Sequence, residues 1–192
     1  VAVSLDGVMV PMKDGARRAK REQAAEEEKH LRGPFGYQEV GCGTLSFYDR
    51  AGDRLGTLRL ARMPESKKAT LKSMLTAELT AILGAHPHLR LVKLADGARD
   101  NWTYLDEELP PGKDAVDFWH AAEHLHAALA SAYGETSLSC QAQFEKLRHV
   151  LRHDTQGADK VIRALRHLRD RHPRRPKIAT ELGYFRRNRH RM

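Results

Sequence analysis

Two carboxylates in this chain occupy matching contexts. Asp6 and Asp96 each follow an apolar run and precede a glycine, in Ser4-Leu5-Asp6-Gly7 and Leu94-Ala95-Asp96-Gly97. A carboxylate where a buried strand meets a loop is a costly charge unless it binds something. Two of them suggest strands lying side by side and one shared site for a hard divalent cation, Mg²⁺ or Mn²⁺. Such an ion takes oxygen ligands, and one or two carboxylates plus a substrate phosphate satisfy it. A pair of ions about 3.5–4 Å apart can activate an attacking hydroxyl and stabilise the leaving oxygen of a phosphodiester. The glycine after each Asp lets backbone or substrate come close. Either step alone reads as an ordinary Asp-Gly turn; the matched positions favour the metal.

A second constellation lies downstream of Asp96. In Asp117-Phe118-Trp119-His120-Ala121-Ala122-Glu123-His124, the last five residues match the H-x-x-E-H pattern of inverted zinc peptidases. On a helix, His120 and His124 share a face and could bind zinc, with Glu123 as base and Glu181 as a further ligand. The chain has 11 histidines, so a chance match is easy. A zinc hydrolase leaves the Asp-Gly pair and the basic end of the chain unexplained, and it stands as the alternative reading. His126, His149, His153, His167, His172 and His190 lie among arginines and read as polar-face residues or phosphate contacts. Trp102 and Tyr104 read as packing residues.

Charge is unevenly placed along the 192 residues. Residues 1–140 hold 18 Lys/Arg against 20 Asp/Glu, a net of −2, whereas residues 141–192 hold 15 against 5, a net of +10. A basic segment beside a near-neutral remainder suggests a surface that faces a polyanion, most often nucleic acid. The 41% apolar and 30% charged fractions are those of a globular protein. No apolar run approaches the ~20 residues that span a bilayer. Two cysteines, Cys42 and Cys140, match a reducing cytoplasm and leave no room for a disulfide framework or a cysteine-based zinc site.

The elements that must position these groups are read from periodicity. Val1 to Leu5 reads as a strand with Asp6 at or near its end, and Val8-Met9-Val10 continues beyond Gly7. The charged stretch over residues 16–33 reads as an exposed excursion. Thr44 to Tyr48 and Leu58 to Leu60 form a hairpin around Ala51-Gly52-Asp53. An amphipathic helix starts near Ser66, with Leu71, Met74, Leu75, Leu79, Ile82 and Leu83 on one face. Leu89 to Ala95 is a strand that delivers Asp96, residues 101–109 a short helix, and Ala115 to Phe118 a strand. His120 to about Tyr133 is helical. From Ser137 onward the chain is all helix, with Gly157 separating two helices and Pro173 and Pro176 preceding the last. A three-stranded antiparallel opening followed by strand-helix-strand outlines an α/β, RNase H-like mixed sheet carrying a C-terminal all-helical insertion.

The same residues resemble insertion-sequence transposases of the Kra type. The resemblance rests on Ser4-Leu5-Asp6-Gly7-Val8-Met9-Val10-Pro11, Thr44-Leu45-Ser46-Phe47-Tyr48-Asp49, Ala95-Asp96-Gly97-Ala98 with Asn101-Trp102, and Val116 through Leu125. It extends to Tyr184-Phe185 and Arg191-Met192 and runs in order over nearly the whole chain. It implies a DDE transposase with an RNase H-like core, related to Mutator- and hAT-like enzymes, that cleaves and transfers DNA strands with Mg²⁺. Asp6 and Asp96 are then the first two catalytic acids and metal ligands, and Asp117 and His120 the D-x-x-H signature. Residues 1–136 are the partial core, 137–176 the helical insertion, and 177–192 the start of the closing core segment.

The family's third acid usually lies in a Ser-Gly-x-x-Glu stretch beyond the Tyr-Phe and Arg-Met residues. Glu181 sits in Glu-Leu-Gly-Tyr-Phe and reads as structural or surface. The chain therefore reads as a fragment of a longer, oligomeric, bacterial protein, cytoplasmic and nucleoid-associated, and feeble by itself. Its expected partners are transposon-end and target DNA, met by Arg163, Arg166, Arg174, Arg175, Arg186 and Arg187. A decayed remnant that only binds DNA is the non-enzymatic alternative.

Overall fold

The computed structural model describes residues 1–11, 22–24, 26–27 and 37–192. Most of the charged stretch expected over 16–33 lies outside the described residues. The fold is α/β. Five strands, β1 (Ala2–Pro11), β2 (Tyr37–Tyr48), β3 (Arg54–Arg62), β4 (Val92–Ala95) and β5 (Lys113–Val116), form a mixed sheet in the order β3-β2-β1-β4-β5. The helices are α1 (Ala69–Ala85), α2 (Arg99–Glu107), α3 (Phe118–Tyr133), α4 (Leu138–His153), α5 (Gly157–Arg171) and α6 (Pro176–Asn188). Among the described residues, no helix is long and apolar enough to cross a membrane. Two compact units divide the chain: Val1–Leu91 with Glu108–Pro110, and Val92–Glu107 with Pro111–Met192.

In the first unit, β1, β2 and β3 are consecutive antiparallel strands. Gly52 takes a left-handed φ of 93° in the β2–β3 turn, and the Asp49 carboxylate accepts the Asp53 N–H at 2.9 Å. Leucines spaced four apart on α1, Leu71, Leu75 and Leu79, are fully buried. Each such burial stabilises by about 1.5–3 kcal/mol. Leu71 and Leu75 lie so close to β2 that a Cβ on Gly41 or Gly43 would meet them at 2.8 and 3.3 Å. The expected strand end at Asp6 does not occur. β1 runs unbroken through Gly7, with Asp6 opposite Cys42 and Gly7 opposite Gly41, because β2 pairs with it as far as Pro11. Of the two cysteines, Cys140 is fully buried and Cys42 only half-buried.

In the second unit, β4 and β5 are parallel, in register from Val92 with Lys113 to Ala95 with Val116, and α2 lies between them in sequence. β4 begins at Val92 rather than Leu89. β5 ends at Val116, because the next residue caps a helix instead of extending the strand. Helices α3 to α6 pack on one another around Leu125, Val161, Leu165, Ile178, Leu182 and Phe185. Gly157 opens α5 rather than standing between two helices. A Cβ there would sit 2.5 Å from the Val150 carbonyl oxygen, so only glycine lets the α4–α5 turn close so tightly.

Candidate active site at the ends of β4 and β5

Because β4 and β5 run parallel and in register, Asp96 and Asp117 leave the sheet at the same end. The Asp117 N–H donates to the Ala95 carbonyl at 2.8 Å, tying the two exits together. Each aspartate then caps the segment after it. One Asp96 oxygen accepts the Ala98 N–H and the amide of buried Asn101, both at 3.0 Å. One Asp117 oxygen accepts the His120 N–H at 2.9 Å, the hydrogen bond of an N-cap. The second oxygen of each makes no hydrogen bond among the described residues. Ligands of parallel sheets bind beyond the carboxyl ends of the strands, where these two oxygens lie.

Helix α6 covers this end of the second unit. Gly97 turns the chain with a φ of 81°, and a Cβ on it would meet the Tyr184 ring at 2.5 Å and the Asn188 amide at 2.9 Å. The Tyr184 ring stacks on His124 with centroids 3.6 Å apart, and its hydroxyl is buried without a hydrogen-bond partner among the described residues. Burial first, then the charges of Asp96, Asp117, Glu123 and Glu181, push that hydroxyl above the ordinary tyrosine range. It therefore stays protonated and available as a donor.

His124 Nδ1 lies 2.5 Å from Glu181 Oε2, and Lys177 Nζ lies 2.8 Å from Glu181 Oε1. Glu181 is 1% exposed, so it belongs to the interior and not to the surface. Burial raises its pKa, but the hydrogen bonds from Lys177 and His124 outweigh burial and hold the carboxyl below its ordinary value. The His124–Glu181 hydrogen bond fastens α6 to α3.

The structure gathers Asp96, Asp117 and His120 at one end of the second unit. Asp6 lies in the first unit, exposed, and among the described residues one of its oxygens accepts only the N–H of its own neighbour Gly7, at 2.7 Å. The two Asp-Gly contexts thus differ: one is mid-strand, the other a left-handed exit. His120 and His124 do share a face, their rings edge to face at 5.0 Å, and Glu181 reaches His124. Yet Nδ1 of His124 is committed to Glu181. Among the described residues, no three His, Cys, Asp or Glu side chains are placed to hold a metal ion.

Arg163 and Arg166 on α5, Arg174 and Arg175 before α6, and Arg186 and Arg187 in its last turn are all exposed. None of the six is paired with a carboxylate among the described residues. Asn101 and Tyr184 enter the sequence reading only as residues of the resemblance, and their contacts here escape it, since each depends on which helix packs where. His124 and Glu181, paired there as zinc ligands, meet instead through a hydrogen bond. A second buried arrangement lies nearby in sequence: Trp102 is capped by the Arg191 guanidinium at 3.9 Å, which also pairs with Asp106 at 2.9 Å. No protein-family model matches the chain, and no curated protein or solved structure matches it either.

Proposed function

We propose that the chain is part of the catalytic core of a DNA transposase of the DDE type, built on an RNase H-like sheet. The observation that carries this reading is the half-held carboxylate of Asp96. One of its oxygens is fixed by Ala98 and Asn101, while the other is left open where β4 ends beside Asp117. A metal ligand needs that combination of fixed orientation and a free lone pair. The strand order supports an RNase H-like sheet. Six exposed arginines on α5 and α6 and in the turn between them, none paired with a carboxylate among the described residues, supply a surface for DNA phosphates.

In this reading Asp96 is a ligand for Mg²⁺ or Mn²⁺, and Asp6 joins it through the resemblance. The donor set suits a hard ion, which is satisfied by one or two carboxylates plus substrate phosphate, without a closed protein cage. When bound, the ion supplies Lewis-acid stabilisation to a phosphodiester under attack by water or a terminal 3′-hydroxyl. Asn101 and the Ala98 amide keep the Asp96 carboxylate from turning away. Asp117 holds the first turn of α3, and with it His120, against the end of β4. The protein then acts in the cytoplasm on nucleoid DNA, as an oligomer.

The test is Mg²⁺-dependent nicking and strand transfer by the parent protein. Asp96→Asn and Asp6→Asn each abolish both, while circular dichroism and melting stay unchanged. An asparagine in place of Asp96 keeps the oxygen that Ala98 and Asn101 use. Transfer at the parental rate in either variant overturns the assignment.

A further inference from the structure

Trp119 is the one exposed Trp, Tyr or Phe ring of the second unit among the described residues, at 62% exposure. The indole stands in water at the first turn of α3, beside the Asp117 cap. Trp119 lines a groove of about 440 Å³ together with Val116, Phe118, Arg152, Arg191 and Met192. That volume lies within the range of small-molecule sites, about 300–1,000 Å³. Among the described residues the floor and walls are otherwise alanine and leucine, and the only charged side chains in the lining are the two arginines. Phe118 meets Trp119 edge to face, with centroids 5.4 Å apart at 69°, so the two rings make a corner rather than a closed stack. Arg152 lies over Phe118 at 5.5 Å and has no carboxylate partner among the described residues. Flat apolar surface bordered by an unneutralised guanidinium matches a ligand that is planar on one side and anionic on the other.

We propose that this groove seats one unpaired nucleobase of a DNA strand, stacked at Trp119, with Arg152 on the adjoining phosphate. The inference deepens the transposase reading and rests on it for the choice of DNA. Three features select this occupant. A base inside a duplex has both faces covered by its neighbours, so only an unpaired base can offer one to an indole. Among the described residues Arg152 is the one charged side chain of the lining without a carboxylate partner, and residues 141–192 carry a net +10, so a polyanion is drawn to this side. Trp119 stands between Asp117 and His120 in sequence, so a nucleotide seated there brings its phosphate to the start of α3. The strand handled at this end is therefore locally melted or single-stranded.

The experiment uses the intact chain, oligothymidylate, and a blunt duplex of equal length, with tryptophan emission and anisotropy as readouts. Trp102 is 4% exposed and covered by Arg191, so quenching reports on Trp119. Oligothymidylate is expected to quench the emission and the duplex to leave it unchanged. Trp119→Ala weakens single-strand binding about tenfold and duplex binding little; Trp119→Phe restores most of the loss. Arg152→Gln lowers the salt slope of single-strand binding by about one.

The proposal is overturned if Trp119→Ala binds oligothymidylate as tightly as the parent. Equal quenching by polyglutamate overturns it in favour of an acidic peptide. A concentration-dependent blue shift without DNA overturns it in favour of a second copy of this chain. Quenching by single strands in a protein that never nicks DNA keeps the groove and removes the transposase reading. Nicking that is indifferent to Trp119 does the reverse.

Discussion

At Asp6-Gly7 the backbone is an extended strand, paired residue for residue with Cys42 and Gly41, and the carboxylate is exposed. At Asp96-Gly97 the chain leaves β4 through a left-handed glycine, and the carboxylate is tied to Ala98 and Asn101 beneath a tyrosine ring. The dipeptide permits either course, and its surroundings choose. A long partner strand keeps Gly7 extended, since β2 offers ladder hydrogen bonds as far as Pro11. β4 is four residues long, and the Asp96 side chain offers the backbone a cap in place of a ladder. Only the second step acquires a fixed carboxylate, and fixation is what a metal or substrate site requires.

The largest expected effect separates the two glycines. Gly97→Ala combines left-handed strain of about 1–2 kcal/mol with overpacking of about 1–3 kcal/mol against the Tyr184 ring. Melting should fall by about 4–20 °C at roughly 2–4 °C per kcal/mol. Gly7→Ala meets only the Glu39 side chain, which is exposed and can swing aside at the expense of its 2.8 Å pair with Lys68. A surface pair is worth at most about 1 kcal/mol. Thermal melts of the two variants check this, and similar shifts would erase the distinction between the steps.

What could be read from the residues alone divides along the same line. Alternation in Thr44 to Tyr48 and the fourfold spacing of Leu71, Leu75 and Leu79 are local signals, and they place the hairpin and α1 correctly. Gly7 misleads, because glycine after aspartate reads as a turn unless the pairing strand is known. Asp117 misleads similarly: Ala115 to Phe118 has strand composition, but the carboxylate caps α3 at His120. The contacts that complete the candidate site join residues far apart in sequence. Glu181 and His124 are 57 positions apart, and Tyr184 reaches Gly97 from α6. No local period encodes the packing of one helix against another, so these partners emerge only from the assembled bundle.

An intermediate effect comes from the anchor of α6. Glu181→Gln removes a charge-assisted hydrogen bond in the interior and should cost about 1–3 kcal/mol at neutral pH. Because the folded protein holds this carboxyl below its ordinary value, the stabilisation is complete above the unfolded pKa, about 4.3. It is lost as pH falls through the lower, folded value. The stability gap between parent and variant should therefore be constant near neutrality and close in acid. Melts as a function of pH test this, and a gap that widens on acidification would contradict it. Hydrogen exchange adds the comparison: loosening α6 should speed exchange at the Ala98 and Asn101 amides and leave Gly7 untouched.

The smallest effect has the opposite sign. Tyr184→Phe keeps the ring that packs on Gly97 and His124 and deletes only a hydroxyl that is buried without a partner among the described residues. Leaving such a donor unsatisfied costs about 1–3 kcal/mol. Its removal should therefore stabilise by about 1 kcal/mol, a rise in melting temperature of about 2–4 °C. A loss of stability would mean that the hydroxyl has an acceptor in solution, and the open oxygens of Asp96 and Asp117 are the nearest candidates in charge and position. The second Asp-Gly step would then be held from both sides, by Asn101 on one oxygen and by Tyr184 on the other. Asp6, whose carboxylate bonds only to its own neighbour among the described residues, has no counterpart there to either hold.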